Sequence, residues 1–441
     1  MKRSRFLLGL LPAVLLGMMI APAAMADNLT DNNQTLVAAD EGHPVRAAIT
    51  KVFQMPVGTD MPDAVFQFEI DPVSVDDIGY FNDNMPSIPT VDINTIDSGT
   101  HQTSMTLLPS TDDTLTYYAE SGDIFADVVF PHAGLYVYTV VEVQPNNGLI
   151  DDNWPHETLT YSQLGYKLSI YVANRTDGTG TYIYELGTEQ RYLENDQWIL
   201  TKVDPTPGGY DADHPYSQMA FTNTYVKTNG TDTPDNPDPT TEATLSVSNH
   251  VEGILANPAD MFTYTISLTP PSLVTQPPAY YKAYIVENAA VIDPAPNAAG
   301  TTVGDDTLVN GHGYLEISTK VPTTFLLKGG QSLVFVDTPV GTNYVVAEEN
   351  PTGYEPHLIV TTNGDPAHEV SEDVGVTLSS GKQWVGEGAN IAAFTNIRTV
   401  ATPTGLTMAS LPFVGVMALA GLAIIGFAWF TIRGKRRRVT A

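Results

Sequence analysis

The sequence predicts an all-β protein built as two tandem β-sandwich domains. Three observations carry that expectation. Short runs rich in β-branched and aromatic residues alternate in side-chain character along the 441-residue chain. Pro and Gly clusters separate these runs, and no long apolar pattern of helical period appears before the C-terminus. The same three landmarks also occur twice, in the same order, which marks an imperfect internal repeat. Many short strands with turn signals favour antiparallel sandwiches of the immunoglobulin-like, Greek-key kind.

Composition limits the chemistry first. The chain has 50 acidic and 20 basic residues, a formal charge of −30 and no cysteine. That charge does not suit a nucleic-acid partner, whose phosphates call for a basic surface. Without cysteine there are no disulfides, thiolate metal sites or thiol nucleophiles.

Along the chain, residues 1–26 read as a secretion signal. Lys2, Arg3 and Arg5 make a basic start, residues 6–20 are almost wholly apolar, and Ala24-Met25-Ala26 supplies a small-x-small cleavage site. An uncleaved anchor is the alternative; Pro22 and the small residues after it favour cleavage. Residues 44–228 form the expected first domain, with strand-like runs at 64–70, 135–141 and 166–172. Residues 229–242 are a Pro/Asp linker, polar apart from its prolines. Residues 243–399 form the second domain, with runs at 262–268, 332–336 and 343–347. The tail, 400–441, holds an uncharged 22-residue stretch at 411–432, long enough to cross a hydrocarbon core of about 30 Å. Arg433, Lys435, Arg436, Arg437 and Arg438 follow it and should stay in the cytoplasm.

The repeated landmarks are an opening strand, a Tyr-x-Val-x-Glu strand and a closing Phe-Thr-Asn. In the first domain they fall at Thr50-Lys51, at Tyr138-Thr139-Val140-Val141-Glu142 and at Phe221-Thr222-Asn223. In the second they fall at Ser248-Asn249, at Tyr344-Val345-Val346-Ala347-Glu348 and at Phe394-Thr395-Asn396. On the residues alone, Lys51 and Glu142 read as an ion pair and Asn223 as a hydrogen-bonded turn residue.

The set resembles the streptococcal pilin isopeptide-linkage domain family. The second domain resembles a related repeat of Gram-positive surface proteins at 327–332 and 351–354. The resemblance implies a spontaneous amide between Lys51 and Asn223, with Glu142 as its catalytic acid–base. A neutral amine is the attacking form, and burial supplies it by disfavouring the ammonium. Burial should also keep Glu142 protonated, ready to donate to the Asn223 carboxamide oxygen and to pass a proton to departing ammonia. In the second domain Asn249 stands where the amine is needed. Asn249, Glu348 and Asn396 are therefore expected to be a degenerate site without a bond, Glu348 hydrogen-bonding Asn249. Lys320 or Lys328 would rescue it only if the strand order brought one to Asn396.

Pro403-Thr404-Gly405, placed before an apolar span and a basic tail, resembles the sorting signal read by sortases of Gram-positive bacteria. It is similar to the short variant of some pilins, departing from Leu-Pro-x-Thr-Gly at its first two positions. This implies cleavage between Thr404 and Gly405 and attachment of Thr404 to peptidoglycan or to another pilin subunit. The expected protein is thus a cell-wall-anchored pilin subunit or adhesin stalk, held in the membrane by its C-terminal helix before sorting. It is not a turnover enzyme, and it needs no cofactor and no metal. The alternative is a non-polymerising adhesin that takes a host or glycan ligand. A polymerising pilin needs an exposed lysine, for which Lys202 and Lys227 are the candidates. Asp71, Asp76, Asp77, Asp83 and Asp92 could offer oxygen ligands to calcium but read as solvated loop acids. Tyr280, Tyr281 and Tyr284 read as sheet core rather than a ligand platform.

Overall fold

The computed structural model describes residues 39–399, apart from 80–84, 110–112, 145–156, 195–196, 209–214, 229–237, 242, 295–301 and 306–311. The expected signal, the apolar span, Thr404, Gly405 and most of the linker lie outside the described residues. Every regular element among the described residues is a strand, and no helix there is long and apolar enough to cross a membrane. All six strand-like runs read from the sequence fall largely within strands.

Two sheets make the first unit. In one, the opening strand Thr50–Pro56 lies between Thr114–Glu120, antiparallel to it, and the closing strand Ala220–Lys227, parallel to it. Glu157–Thr160 covers the other side of the closing strand. The facing sheet centres on Val65–Val75, Gly134–Glu142 and Gly165–Asn174. Burial alternates along Val65–Val75 and Gly165–Asn174, as it must where one face of a sheet meets the core. Thr50–Pro56 is different, with six of its seven residues buried. Phe53, Phe66, Phe68, Tyr138, Tyr166 and Phe221 fill the space between the sheets.

The second unit repeats the plan. Its opening strand Leu245–Glu252 lies parallel to its closing strand Ile391–Ile397 and antiparallel to Gln331–Phe335. Met261–Thr269 and Asn343–Glu349 belong to the facing sheet. Its core, including Leu245, Tyr264, Phe325, Leu333 and Phe394, is separate from the first. Parallel pairing of first and last strands is thus common to both units.

The units meet where the first opening strand ends. The Val340 amide donates to the Lys227 carbonyl (2.9 Å), and the Asp60 amide donates to Glu387 Oε1 (2.8 Å). Gly341 has φ +84°, and a Cβ there would run into Pro56, so the turn needs glycine for both reasons. Lys227 Nζ sits 2.7 Å from Glu387 Oε2 and 3.9 Å from Glu157 Oε1.

Candidate functional site

Strand register brings the three landmark residues of the first unit together. Lys51 pairs with Phe221 across the parallel ladder and Phe53 pairs with Asn223. Side chains alternate along a strand, so Lys51 and Asn223 share the core-facing side with those two phenylalanines. Glu142 comes from the opposite sheet, where it pairs with Phe68. Lys51 and Asn223 are both 0 % exposed.

One carboxylate oxygen holds the group. Glu142 Oε1 accepts from Lys51 Nζ at 2.7 Å and from Asn223 Nδ2 at 2.7 Å. The Ser162 backbone amide donates to Asn223 Oδ1 at 2.8 Å. A backbone N–H can only donate, so the carbonyl oxygen must face Ser162 and the NH2 must face Glu142. The Lys51 ammonium lies 4.3 Å from the centre of the Phe66 ring. Burial pulls the Lys51 amine down to about 8, although the charge and hydrogen bond of Glu142 pull the other way.

This arrangement differs from the expected one in a single respect. Glu142 was expected to donate to the carboxamide oxygen, yet that oxygen is taken by Ser162 and Glu142 accepts from both nitrogens. The carboxylate therefore sits between the nucleophile and the leaving group, where it can move a proton from one to the other.

The second unit has the same register, Asn249 opposite Phe394 and Val251 opposite Asn396. Asn396 Nδ2 donates to Glu348 Oε1 (2.6 Å) and to Asn249 Oδ1 (3.0 Å). Glu348 Oε1 also accepts from the Tyr264 hydroxyl at 2.9 Å. The expected Glu348–Asn249 bond is replaced by these contacts, with Asn396 standing between the two residues. Tyr264 pairs with Glu348 as Phe68 pairs with Glu142, so an added hydroxyl occupies the second site. Burial raises the Glu348 carboxyl above its ordinary range. Lys328 pairs with Glu287 (3.2 Å) and Lys320 is exposed, so neither serves Asn396.

The other candidates have plainer roles. Asp76 Oδ1 accepts from the Leu135 amide (2.8 Å) and Asp92 Oδ1 from Gln67 (3.1 Å); Asp83 lies outside the described residues. Tyr281 and Tyr284 are buried and Tyr280 is exposed at the strand end. Lys227 is held at the junction of the units, whereas Lys202 is exposed at the end of Gln197–Lys202, an edge strand. Sequence reasoning missed Ser162, because a backbone donor leaves no side-chain signature. It also missed Tyr264, which reads as core.

A buried amine, carboxylate and carboxamide thus meet between the first and last strands of the first sandwich and its facing sheet. Residues 47–226 match the family described as the Spy0128-like isopeptide containing domain, FctA. Residues 243–398 match a domain of unknown function, DUF7601. Among solved structures, the chain is similar to the major pilin from Streptococcus pyogenes, at 16% identity and a TM-score of 0.31, covering 81% of this chain and 99% of that one. It is also similar to the major pilin protein (T3.2) from Streptococcus pyogenes serotype GAS13637, at 18% identity and a TM-score of 0.29, covering 80% and 98%. The pilus-presented adhesin Spy0125 (Cpa) matches at 14% identity and a TM-score of 0.22, covering 51% and 38%. Among curated proteins none matches the chain.

Proposed function

We propose that the chain is a wall-anchored pilus subunit or adhesin stalk whose first domain carries an amide between Lys51 and Asn223. The observation that supports this most is the position of Glu142 Oε1, 2.7 Å from both the attacking and the departing nitrogen. The neutral Lys51 amine attacks Asn223 Cγ, and the carbonyl π pair moves to Oδ1. Glu142 takes a proton from the attacking nitrogen and hands one to Nδ2, the Cγ–Nδ2 bond breaks as the carbonyl re-forms, and ammonia leaves. A side-chain amide and an amine thus become a secondary amide plus ammonia. The chain consumes its own side chains once, so it turns over no substrate. The second domain, lacking the amine, forms no such bond.

The sorting motif at Thr404 and Gly405 supports attachment by a sortase to the wall or to a neighbouring subunit. Of the two lysines considered for polymerisation, Lys202 fits better, being exposed where Lys227 is half-buried at the junction of the units. Intact-mass measurement tests the central claim. The protein should be lighter than its sequence by one ammonia, and Lys51→Ala or Glu142→Ala should restore the full mass. An unmodified wild-type mass would sink the cross-link. High-molecular-weight ladders in wall extracts would support the polymerising pilin, and a single wall-linked species the adhesin.

A further inference from the structure

We infer that the Ser162 backbone N–H is a catalytic donor for this reaction, and that the second domain is inert for want of that donor as well as of an amine. The inference rests on the cross-linking reading above and adds a group to it. When the amine attacks, negative charge develops on Asn223 Oδ1. In a site without water, that charge needs a donor already in place, and one such donor is worth about 10²–10³ in rate. Glu142 does not supply it, because its Oε1 receives the two nitrogens. The Ser162 amide does, at 2.8 Å from Oδ1.

The position of that amide is built by the fold. Thr160 pairs with Thr224 at the end of Glu157–Thr160, and the chain then passes to Gly165–Asn174 in the facing sheet. The Gln144 side chain donates to the Ser162 carbonyl (3.4 Å), and the Leu164 amide donates to Ser162 Oγ (3.3 Å). Ser162 itself is buried, so the donor is not shared with water.

The second domain is an internal comparison at the same register. Asn396 Oδ1 is buried there without a hydrogen-bond partner. The amine is missing at Asn249 and no donor meets Asn396 Oδ1, two independent losses from one reaction.

The test follows formation of the Lys51–Asn223 cross-linked peptide at timed points after cell-free synthesis of the full chain. The full chain made with glyceric acid in place of Ser162 keeps the hydroxymethyl side chain, changes only that N–H to an ester oxygen, and should react about 10²–10³-fold more slowly than wild type. Equal rates for the wild-type and glyceric acid chains would overturn the inference while leaving the cross-link intact. Absence of the peptide from wild type would instead overturn the cross-link itself. Asn249→Lys gives a second, separate reading, with folding checked by resistance to proteolysis. The inference expects the first-domain peptide to complete with no peptide beside it that joins position 249 to Asn396. A second cross-link formed at the first-domain rate would overturn it.

Discussion

Lys51 owes its chemistry to where its strand lies. Thr50–Pro56 has a strand on each side and the facing sheet above it, so the amine has no route to water and its pKa falls to about 8. The neutral amine is the attacking form, so bond formation should rise about tenfold per pH unit up to about pH 8 and level off above it. Acid-quenched time points read by mass would check this. A rate still climbing towards 10.5, the ordinary lysine value, would mean an amine in water. Glu348 gives the opposite case. Its folded-state pKa is raised above 4.5, so the folded state holds the proton more tightly. The stability this brings is full below 4.5 and is lost as pH climbs through the raised value. Glu348→Gln keeps an acceptor for Tyr264 and Asn396 without the buried charge. It should stabilise the second domain by about 1–3 kcal/mol at neutral pH, with the gain vanishing in acid. Thermal unfolding at the two pH values measures it; destabilisation at neutral pH would count against a buried carboxylate as the source of strain. Lys51, Glu142 and Asn223 were legible because residue type and repetition single them out. Which way the Asn223 amide points was not legible, since it is fixed by the backbone of Ser162, a residue distant in sequence and outside the repeated landmarks.

At the scale of elements, period-two alternation revealed strands such as Val65–Val75, where one face is buried and the other wet. The repeat also exposed the shared strand plan, because both closing strands keep a phenylalanine two residues before the asparagine. The junction was not legible. Lys227 lies just before a polar stretch and reads as an exposed amine, yet its charge is met by Glu157 and Glu387, carried on different units. Lys227→Met would remove the cation that contacts both carboxylates. The contact should weaken by about 1–3 kcal/mol, and distances between spin labels on the two units should spread. An unchanged distance distribution would show that the Val340 and Asp60 backbone bonds suffice to hold the units.

For the whole molecule, tension applied along the chain reaches each unit at its first strand and leaves by its last. These strands are parallel neighbours in both units, so load shears one ladder. With the amide in place, that ladder in the first unit is bridged by a covalent bond and nothing behind it can unravel. As a loop closure, such a long-range link also constrains the unfolded chain by about 5 kcal/mol in the entropy model. Single-molecule pulling should therefore show extension of the second unit alone. Lys51→Ala should add a second event, each freed residue contributing roughly 3.3–3.6 Å. Two events in wild type would contradict the proposal. The same adjacency bears on how the protein is made. The carboxamide lies on the last strand to leave the ribosome and the amine on the first, so a prematurely terminated first domain cannot close its own bond. The amide would be a chemical receipt that the domain was finished.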